Sequence, residues 1–282
     1  METKIAVIIV LYHSENPNYS SLIGKSGTNV VLVDNTPGRN LLLSAENVHY
    51  IPLNENRGIA AAQNVGIRKV VELGCSHIVF FDQDSVIEPD YIRGIVAEYD
   101  RIGTYVENLF LLGPTVFNGR TGEEYKSVIH KDNVTSIGFI PRREIISSGS
   151  CVSVSQLQKV GGLRERLFID SVDFEWCWRA NRLGLVSGIT PNVRLRHFVG
   201  QNEFRVLGQL VVISSPFRYF YQYRNYLWLL RKRYVPFQWK VNVGIKFVLR
   251  IIYFPFCVKN WRQIERNMWK GIRHGFFKYK GL

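Results

Sequence analysis

Between residue 5 and residue 197 the chain alternates short unbroken apolar runs with segments of helical period. Ile5 to Tyr12 and Val30 to Val33 are apolar throughout, the pattern of strands covered on both faces, and Val48 to Pro52 reads as a shorter third strand. Asn56 is placed to cap an Ala-rich helix from Gly58 to Leu73, which Gly74 ends. His77 to Phe81 follows as a fourth strand, and Pro89 opens a second helix that runs to about Gly103. Leu109 to Val116 and Ser148 to Val154 read as extended, Asp173 to Leu183 as a helix stopped by Gly184, and Val193 to His197 as a short strand. Strands that alternate with helices specify an α/β fold with a mostly parallel central sheet.

The polar clusters fall just after these strands: Tyr12-His13 after the first, Asp34-Asn35 after the second and Asp82-Gln-Asp-Ser85 after the fourth. In open α/β sheets the ligand crevice lies at the carboxyl ends of the strands, so the three clusters point to one site. No GxGxxG or GxxxxGK[ST] follows a strand, which argues against a dinucleotide fold or a P-loop.

Charge divides the chain of 282 residues in two. Residues 1–205 hold 21 Lys and Arg against 22 Asp and Glu, whereas residues 206–282 hold 15 against the single Glu265. That tail also has 19 of the 37 aromatic residues, the composition of a surface that meets anionic headgroups or nucleic acid. Its longest apolar stretch, Val241 to Val258, is interrupted by Asn242, Lys246, Arg250 and Pro255, so it is expected to lie on a membrane without crossing it. The Tyr219 to Tyr226 segment is either an interfacial aromatic belt or a core helix with a polar face, in which Arg224 and Asn225 are out of keeping with their apolar neighbours. The four cysteines are scattered with no metal spacing, which fits a reducing, cytoplasmic setting, and no secretory leader is expected.

Two acidic groups could carry chemistry. If Phe80 to Ser85 is extended, Asp82 and Asp84 project together as oxygen donors suited to Mg²⁺ or Mn²⁺; the alternative is a solvated acidic turn. On the predicted helix after Ser171, Glu175 can pair with Arg179 at i,i+4, while Asp173 has no such partner. Asp173 shares a face with Trp176 and Cys177, an apolar setting that would raise its pKa and suit a general base, or else it complements the helix dipole. Ser147-Ser148-Gly149-Ser150 is either a loop approaching a ligand or a turn into a strand, and His197 taken alone is a packed or surface residue.

Taken in order, Val33-Asp-Asn35, the Asn56 to Gly66 segment, Phe81-Asp-Gln-Asp-Ser85, Ser147 to Ser150, Phe168 to Glu175 and His197 resemble the rhamnosyltransferase branch of the family 2 glycosyltransferases. The resemblance runs to about residue 230. It implies a GT-A fold (a Rossmann-like nucleotide-sugar-binding domain) over residues 1–205, followed by a basic, aromatic, helical region over 206–282 that meets membrane or acceptor. It implies that Tyr12, Asp34, Asn56, Arg57 and Asn64 hold the nucleotide, and that Asp82 and Asp84, with the Ser147 to Ser150 loop alongside, form the metal and diphosphate site. His197 is implied as a further contact there, and Asp173 as the base. Val172-Asp173 stands where many members have Glu-Asp, which leaves the roles of Asp170 and Glu175 open. The implied activity is inverting, metal-dependent transfer of L-rhamnose from dTDP-β-L-rhamnose to a glycan or lipid-linked glycan of a bacterial surface polysaccharide such as O-antigen. The enzyme is then expected at the inner face of the cell membrane, on anionic lipid, with no nucleic-acid partner. The competing readings are a UDP donor of galactofuranose or glucose and, from another class, a nucleic-acid-binding module built on the tail.

Overall fold

The computed structural model describes residues 4–14, 19–41, 45–88, 90–118, 134–197, 203–206 and 209–278, with the backbone alone for 118, 197, 203–206 and 209–212. The first four strands are β1 (Ile5–Leu11), β2 (Thr28–Asp34), β3 (Val48–Pro52) and β4 (His77–Asp82). With β5 (Leu109–Asn118), β6 (Ile140–Arg142), β7 (Cys151–Ser153) and β8 (Val186–His197) they form one eight-stranded sheet of order β3-β2-β1-β4-β7-β5-β8-β6. Pairing is parallel from β3 through β4 and again between β5 and β8; β7 and β6 run antiparallel to their neighbours. A separate hairpin joins β9 (Glu203–Val206) to β10 (Gln209–Val212).

The unbroken apolar runs have a direct structural cause. Along β1, Ala6, Ile8 and Val10 enter the core on one face of the sheet, and Ile5, Val7, Ile9 and Leu11 enter the core on the other. Helices α1 (Ile59–Glu72), α3 (Val154–Val160) and α4 (Val172–Arg182) close the first face, where Trp176 meets Phe80 and Phe110 edge-on. Helix α2 (Tyr91–Gly103) closes the second with Ile92, Ile95, Tyr99 and Ile102.

Three local expectations change. Residues 148–154 are not one extended run: only Cys151–Ser153 is strand, and Ser153 then caps α3 by accepting from the Gln156 N–H at 3.3 Å. The short strand expected from Val193 is β8, twelve residues long and begun at Val186, because its pairing with β5 runs through Gly188 opposite Leu112 and passes Pro191 by a register shift between Thr190 and Arg194. Asn56 is not the N-cap of α1; Gly58 is, and Asn56 Oδ1 accepts from the Gly58 N–H at 3.1 Å. Pro89, expected to open α2, lies outside the described residues; α2 starts after Asp90.

The tail is three helices, α5 (Pro216–Leu230), α6 (Phe237–Cys257) and α7 (Trp261–Phe277), around a small core of Tyr219, Tyr223, Phe247, Phe254, Ile264 and Met268. The Tyr219 to Tyr226 segment is therefore a core helix. Gly271 lets α7 rest on the α5 backbone at Phe220, a separation that leaves no space for a Cβ. Among the described residues, no helix is long and apolar enough to cross a membrane.

Candidate active site

The sheet order places β2 on one side of β1 and β4 on the other, so the chain diverges at the β1–β4 boundary and opens a crevice there. The two strand ends are tied across it: the Tyr12 N–H donates to Gln83 Oε1 at 2.7 Å, and Gln83 Nε2 donates back to the Tyr12 carbonyl at 3.2 Å. Asp82 is the last residue of β4, and Gln83 and Asp84 lie in a turn closed by the Ser85 N–H on the Asp82 carbonyl at 3.1 Å. Strand alternation, expected to put the two aspartates on one side, is therefore not what joins them. The turn brings both, exposed, into the lining of one cleft of about 710 Å³. Asp84 makes no hydrogen bond or ion pair among the described residues.

Of the two readings of the Ser147 to Ser150 loop, the turn into a strand is seen. It leads into β7, and it also buttresses the acidic turn, since Ser148 Oγ accepts from the Asp82 N–H at 3.2 Å and meets Ser85 Oγ at 3.2 Å. Ser147 and Ser148 line the same cleft.

Asp173 also faces the cleft, from the first turn of α4. Its carboxylate accepts from its own helix start, Phe174 N–H at 3.0 Å, and from the Ser147 N–H at 3.3 Å. Dense surrounding protein desolvates the group and pushes its pKa up to about 6; the charge on Asp82 acts in the same direction, and the N–H donors pull against both. Glu175, two residues on, is fully buried and has a different occupation: Arg179 Nε lies 3.1 Å from Oε1, and the Tyr234 hydroxyl donates to the same oxygen at 2.7 Å. The i,i+4 pairing read from the sequence is present, and Tyr234 from the tail completes it.

The loop before Asp173 has an unusual backbone. Phe168, Asp170 and Ser171 all have positive φ, at 66°, 67° and 62°, a conformation costing of order 1–3 kcal/mol each for residues with a Cβ. Helix α5 holds it there. The buried Asn225 side chain donates to the carbonyls of Leu167, Ile169 and Asp170 at 2.8–3.0 Å, and Arg224 Nη2 donates to those of Arg166 and Leu167 at 2.8 and 2.9 Å. Arg224 also bonds Asn225 Oδ1 at 2.8 Å and stacks over Trp228, 4.3 Å from the ring centroid. Asp170 in turn is ion-paired with Arg218 of the same helix, Nε to Oδ2 at 3.3 Å. On the other side, Gly58 lies so close to Phe168 that an added Cβ would sit 2.6 Å from its ring and carbonyl oxygen, which ties the start of α1 to this loop. The sequence marked Arg224 and Asn225 only as out of keeping with their neighbours; their part in shaping the site comes from packing.

The residues assigned to the nucleotide are placed less uniformly. Asp34 is buried at the end of β2, accepting from the Thr36 N–H at 2.9 Å and the Tyr50 hydroxyl at 2.8 Å, with Arg39 at 3.5 Å. Burial and that contact push the Tyr50 pKa up to about 12. Asn35 holds the loop before α1, donating to Asn56 Oδ1 at 3.0 Å and accepting from the Arg57 N–H at 2.8 Å. Asn64 does not join these groups. Its amide is engaged with Leu163, both N–H and carbonyl, and with Glu165, so it pins the 162–165 turn. His197 ends β8, and its side chain lies outside the described atoms.

The fold that carries these residues is shared with solved glycosyltransferases. Staphylococcus aureus TarS (residues 1–349) superposes with a TM-score of 0.55 at 15% identity, covering 97% of this chain and 81% of that one, while the chain spans 45% of the longer TarS structure. GalNAc-T7, solved with UDP, GalNAc and Mn²⁺, superposes with a TM-score of 0.54 at 13% identity over 96% of this chain and 54% of that one. The fold is therefore that of the GT-A glycosyltransferases. Residues 22–136 match the glycosyl transferase family 2 profile, and the dTDP-rhamnosyl transferase RfbF of Shigella flexneri is 37% identical over 252 residues, 84% of this chain and 83% of that protein. The chain belongs to glycosyl transferase family 2.

Proposed function

We propose that this protein transfers an L-rhamnosyl group from dTDP-β-L-rhamnose to a hydroxyl of a bacterial surface glycan, by a single displacement that inverts the anomeric carbon. The observation that carries the reading is the meeting, in one cleft, of the Asp82–Asp84 turn with a carboxylate whose pKa is raised to about 6. The name of the Shigella relative supports the choice of donor.

Asp173 is the base. A carboxylate near pKa 6 is ionised at neutral pH yet basic enough to take the acceptor hydroxyl's proton as that oxygen attacks the sugar. Tyr12 and Asp34, at the ends of β1 and β2, and Asn56 and Arg57, in the loop between β3 and α1, belong to the nucleoside side. The residues present fit a divalent cation. Asp82 and Asp84 are exposed, oxygen-only donors, and among the described residues no cluster of three or more His, Cys, Asp or Glu gathers, so the two aspartates would hold Mg²⁺ or Mn²⁺ together with donor phosphate and water. When bound, such an ion supplies neutralising charge to the departing nucleoside diphosphate.

The enzyme would work at the inner face of the membrane. One side of α6 presents Phe237, Val241, Ile245, Val248, Ile252 and Phe256 to solvent, and Lys259 and Arg262 follow at its end, a helix face suited to an anionic bilayer. A screen of nucleotide sugars that measures released nucleoside diphosphate tests the donor: dTDP from dTDP-β-L-rhamnose is expected, and preference for a UDP-sugar would overturn the assignment. Sedimentation with vesicles tests the membrane reading, which requires binding to anionic vesicles that weakens as salt rises.

A further inference from the structure

One acid of the cleft has no part in the reaction as described. Asp170, on the loop before Asp173, lines the same cavity, and so does Arg218 from the first turn of α5. Arg218 meets the carboxylate at two points, Nε with Oδ2 at 3.3 Å and Nη2 with Oδ1. The Asp170 side chain is 13% exposed and that of Arg218 40%, so the pair is part of the cleft wall and not a bridge sealed beneath it. The loop does not need this pair to keep its shape. Its carbonyls at Arg166, Leu167, Ile169 and Asp170 are already taken by Arg224 and Asn225, and those bonds go to backbone whatever side chain stands at position 170.

Two-point pairing leaves hydrogen-bonding capacity unused on both partners. The side chain of Arg218 makes no hydrogen bond among the described residues beyond those to Asp170, so its remaining N–H groups have no acceptor there. Each Asp170 oxygen accepts one of these bonds and keeps a further lone pair. The result is an edge of donors beside acceptors with no net charge. A diphosphate suits it poorly, because it would be repelled by Asp170 while competing with it for Arg218. Vicinal hydroxyls suit it well, since each can donate to a carboxylate or accept from a guanidinium.

Position selects which hydroxyls these are. In a single displacement the anomeric carbon lies between the leaving diphosphate, on the Asp82–Asp84 side, and the attacking oxygen, on the Asp173 side. The charge on Asp82 adds to the desolvation that raises the Asp173 pKa, and together with Asp170 it outweighs the desolvation that works against a charged Arg218. The pair therefore flanks the gap that the transferred sugar has to occupy.

We propose that Asp170 and Arg218 together bind two adjacent hydroxyls of the transferred sugar, Asp170 accepting from one and Arg218 donating to its neighbour, and that this contact selects the sugar. The inference rests on the glycosyl-transfer reading of the cleft and adds the residues that read the donor's sugar. It also gives Asp170 a role in a chain where Val172 stands in place of the acid that many members carry beside the base.

Calorimetric titration of the full chain in Mg²⁺, without acceptor, tests it by comparing dTDP with dTDP-β-L-rhamnose and with the donors deoxygenated in turn at sugar positions 2, 3 and 4. The rhamnosyl group is expected to tighten binding at least about tenfold over dTDP, and removal of either of two adjacent hydroxyls to weaken it about tenfold. The double variant Asp170→Gly/Arg218→Met removes both partners with no change in net charge, and glycine accepts the positive φ of position 170 without strain. In it both penalties should vanish while dTDP affinity stays within about twofold, a coupling that a merely structural pair would not produce. Arg218→Met alone leaves the loop carbonyls held and should erase the penalty at one position, so a folding defect in the double variant does not protect the proposal. Penalties unchanged in these variants would overturn it, and an equal loss of dTDP and dTDP-rhamnose affinity would assign the pair to the diphosphate instead. No gain from the rhamnosyl group in the wild type would also overturn it. Preference for a UDP-sugar would count against the donor assignment alone, because the same comparison is then read with deoxy analogues of that sugar.

Discussion

The two walls of the candidate cleft are built on different principles. The sheet-side wall presents its acids from one short turn, Asp82 to Asp84, which the sheet itself fixes through Tyr12 on the neighbouring strand, 71 residues back in the chain. The helical wall is assembled by side chains that the tail lends to the loop and helix around Asp173. Asn225 bonds the Asp170 carbonyl 55 residues away, and Tyr234 reaches Glu175 across 59. The acidic side therefore persists wherever the sheet forms, whereas the setting of Asp173 depends on the tail being docked. A basic, aromatic tail that looked separable by composition proves to be a structural part of the site, while its outer face remains free for another surface.

If this division is right, damage to the sheet-side wall should abolish chemistry without unfolding the protein. The largest effect is expected for Asp84→Ala, with transfer reduced by about 10³-fold at unchanged melting temperature. Chelation of divalent ions should do the same to the intact protein, and full activity in EDTA would remove the metal from the mechanism.

Asp173→Asn should lower turnover by about 10²-fold with dTDP affinity near normal. Its folded pKa of about 6 stands above the ordinary 3.8, so the native state binds a proton more tightly than the unfolded chain does. The associated stability is present below about pH 4 and is lost as pH rises through about 6. At pH 7.5 the neutral Asn should consequently be at least as stable as wild type, by up to about 3 kcal/mol. Wild-type turnover should climb through about pH 6 as the base ionises, and a flat profile from pH 5 to 8 would argue against Asp173 in that role.

The helical wall should respond in the opposite sense, with stability first. Asn225→Ala removes the donor to three loop carbonyls and is expected to cost about 2–3 kcal/mol in denaturant unfolding, with a loss of turnover that follows the released loop. Glu175→Gln, which weakens a fully buried ion pair while keeping its shape, should cost about 2 kcal/mol, with residual turnover per folded molecule close to wild type. A Glu175→Gln protein that is stable but inactive would exchange the roles assigned to the two acids.

The smallest effect on the fold is expected on the outer side of α6. Phe256 is 86% exposed and Ile252 60%, so replacing both by Ser should change stability by no more than about 0.5 kcal/mol while reducing sedimentation with anionic vesicles. Unchanged vesicle binding would place the membrane contact elsewhere.

Local pattern was enough to specify the α/β class, the strand-end clusters and the different positions of Asp173 and Glu175, because strand alternation, capping and i,i+4 pairing act within a few residues. It failed where neighbours override propensity: helix α3 starts inside an apparently extended run, and β8 extends through Gly188 and Pro191 by pairing with β5. What the sequence by itself determined is thus the scaffold and the acids that can do chemistry. Only the tertiary structure decided which residues shape and charge the site, since the positive-φ loop at Phe168 to Ser171 and the Asp170–Arg218 pair acquire their meaning from contacts made by segments far apart in the chain, and no local period encodes such contacts.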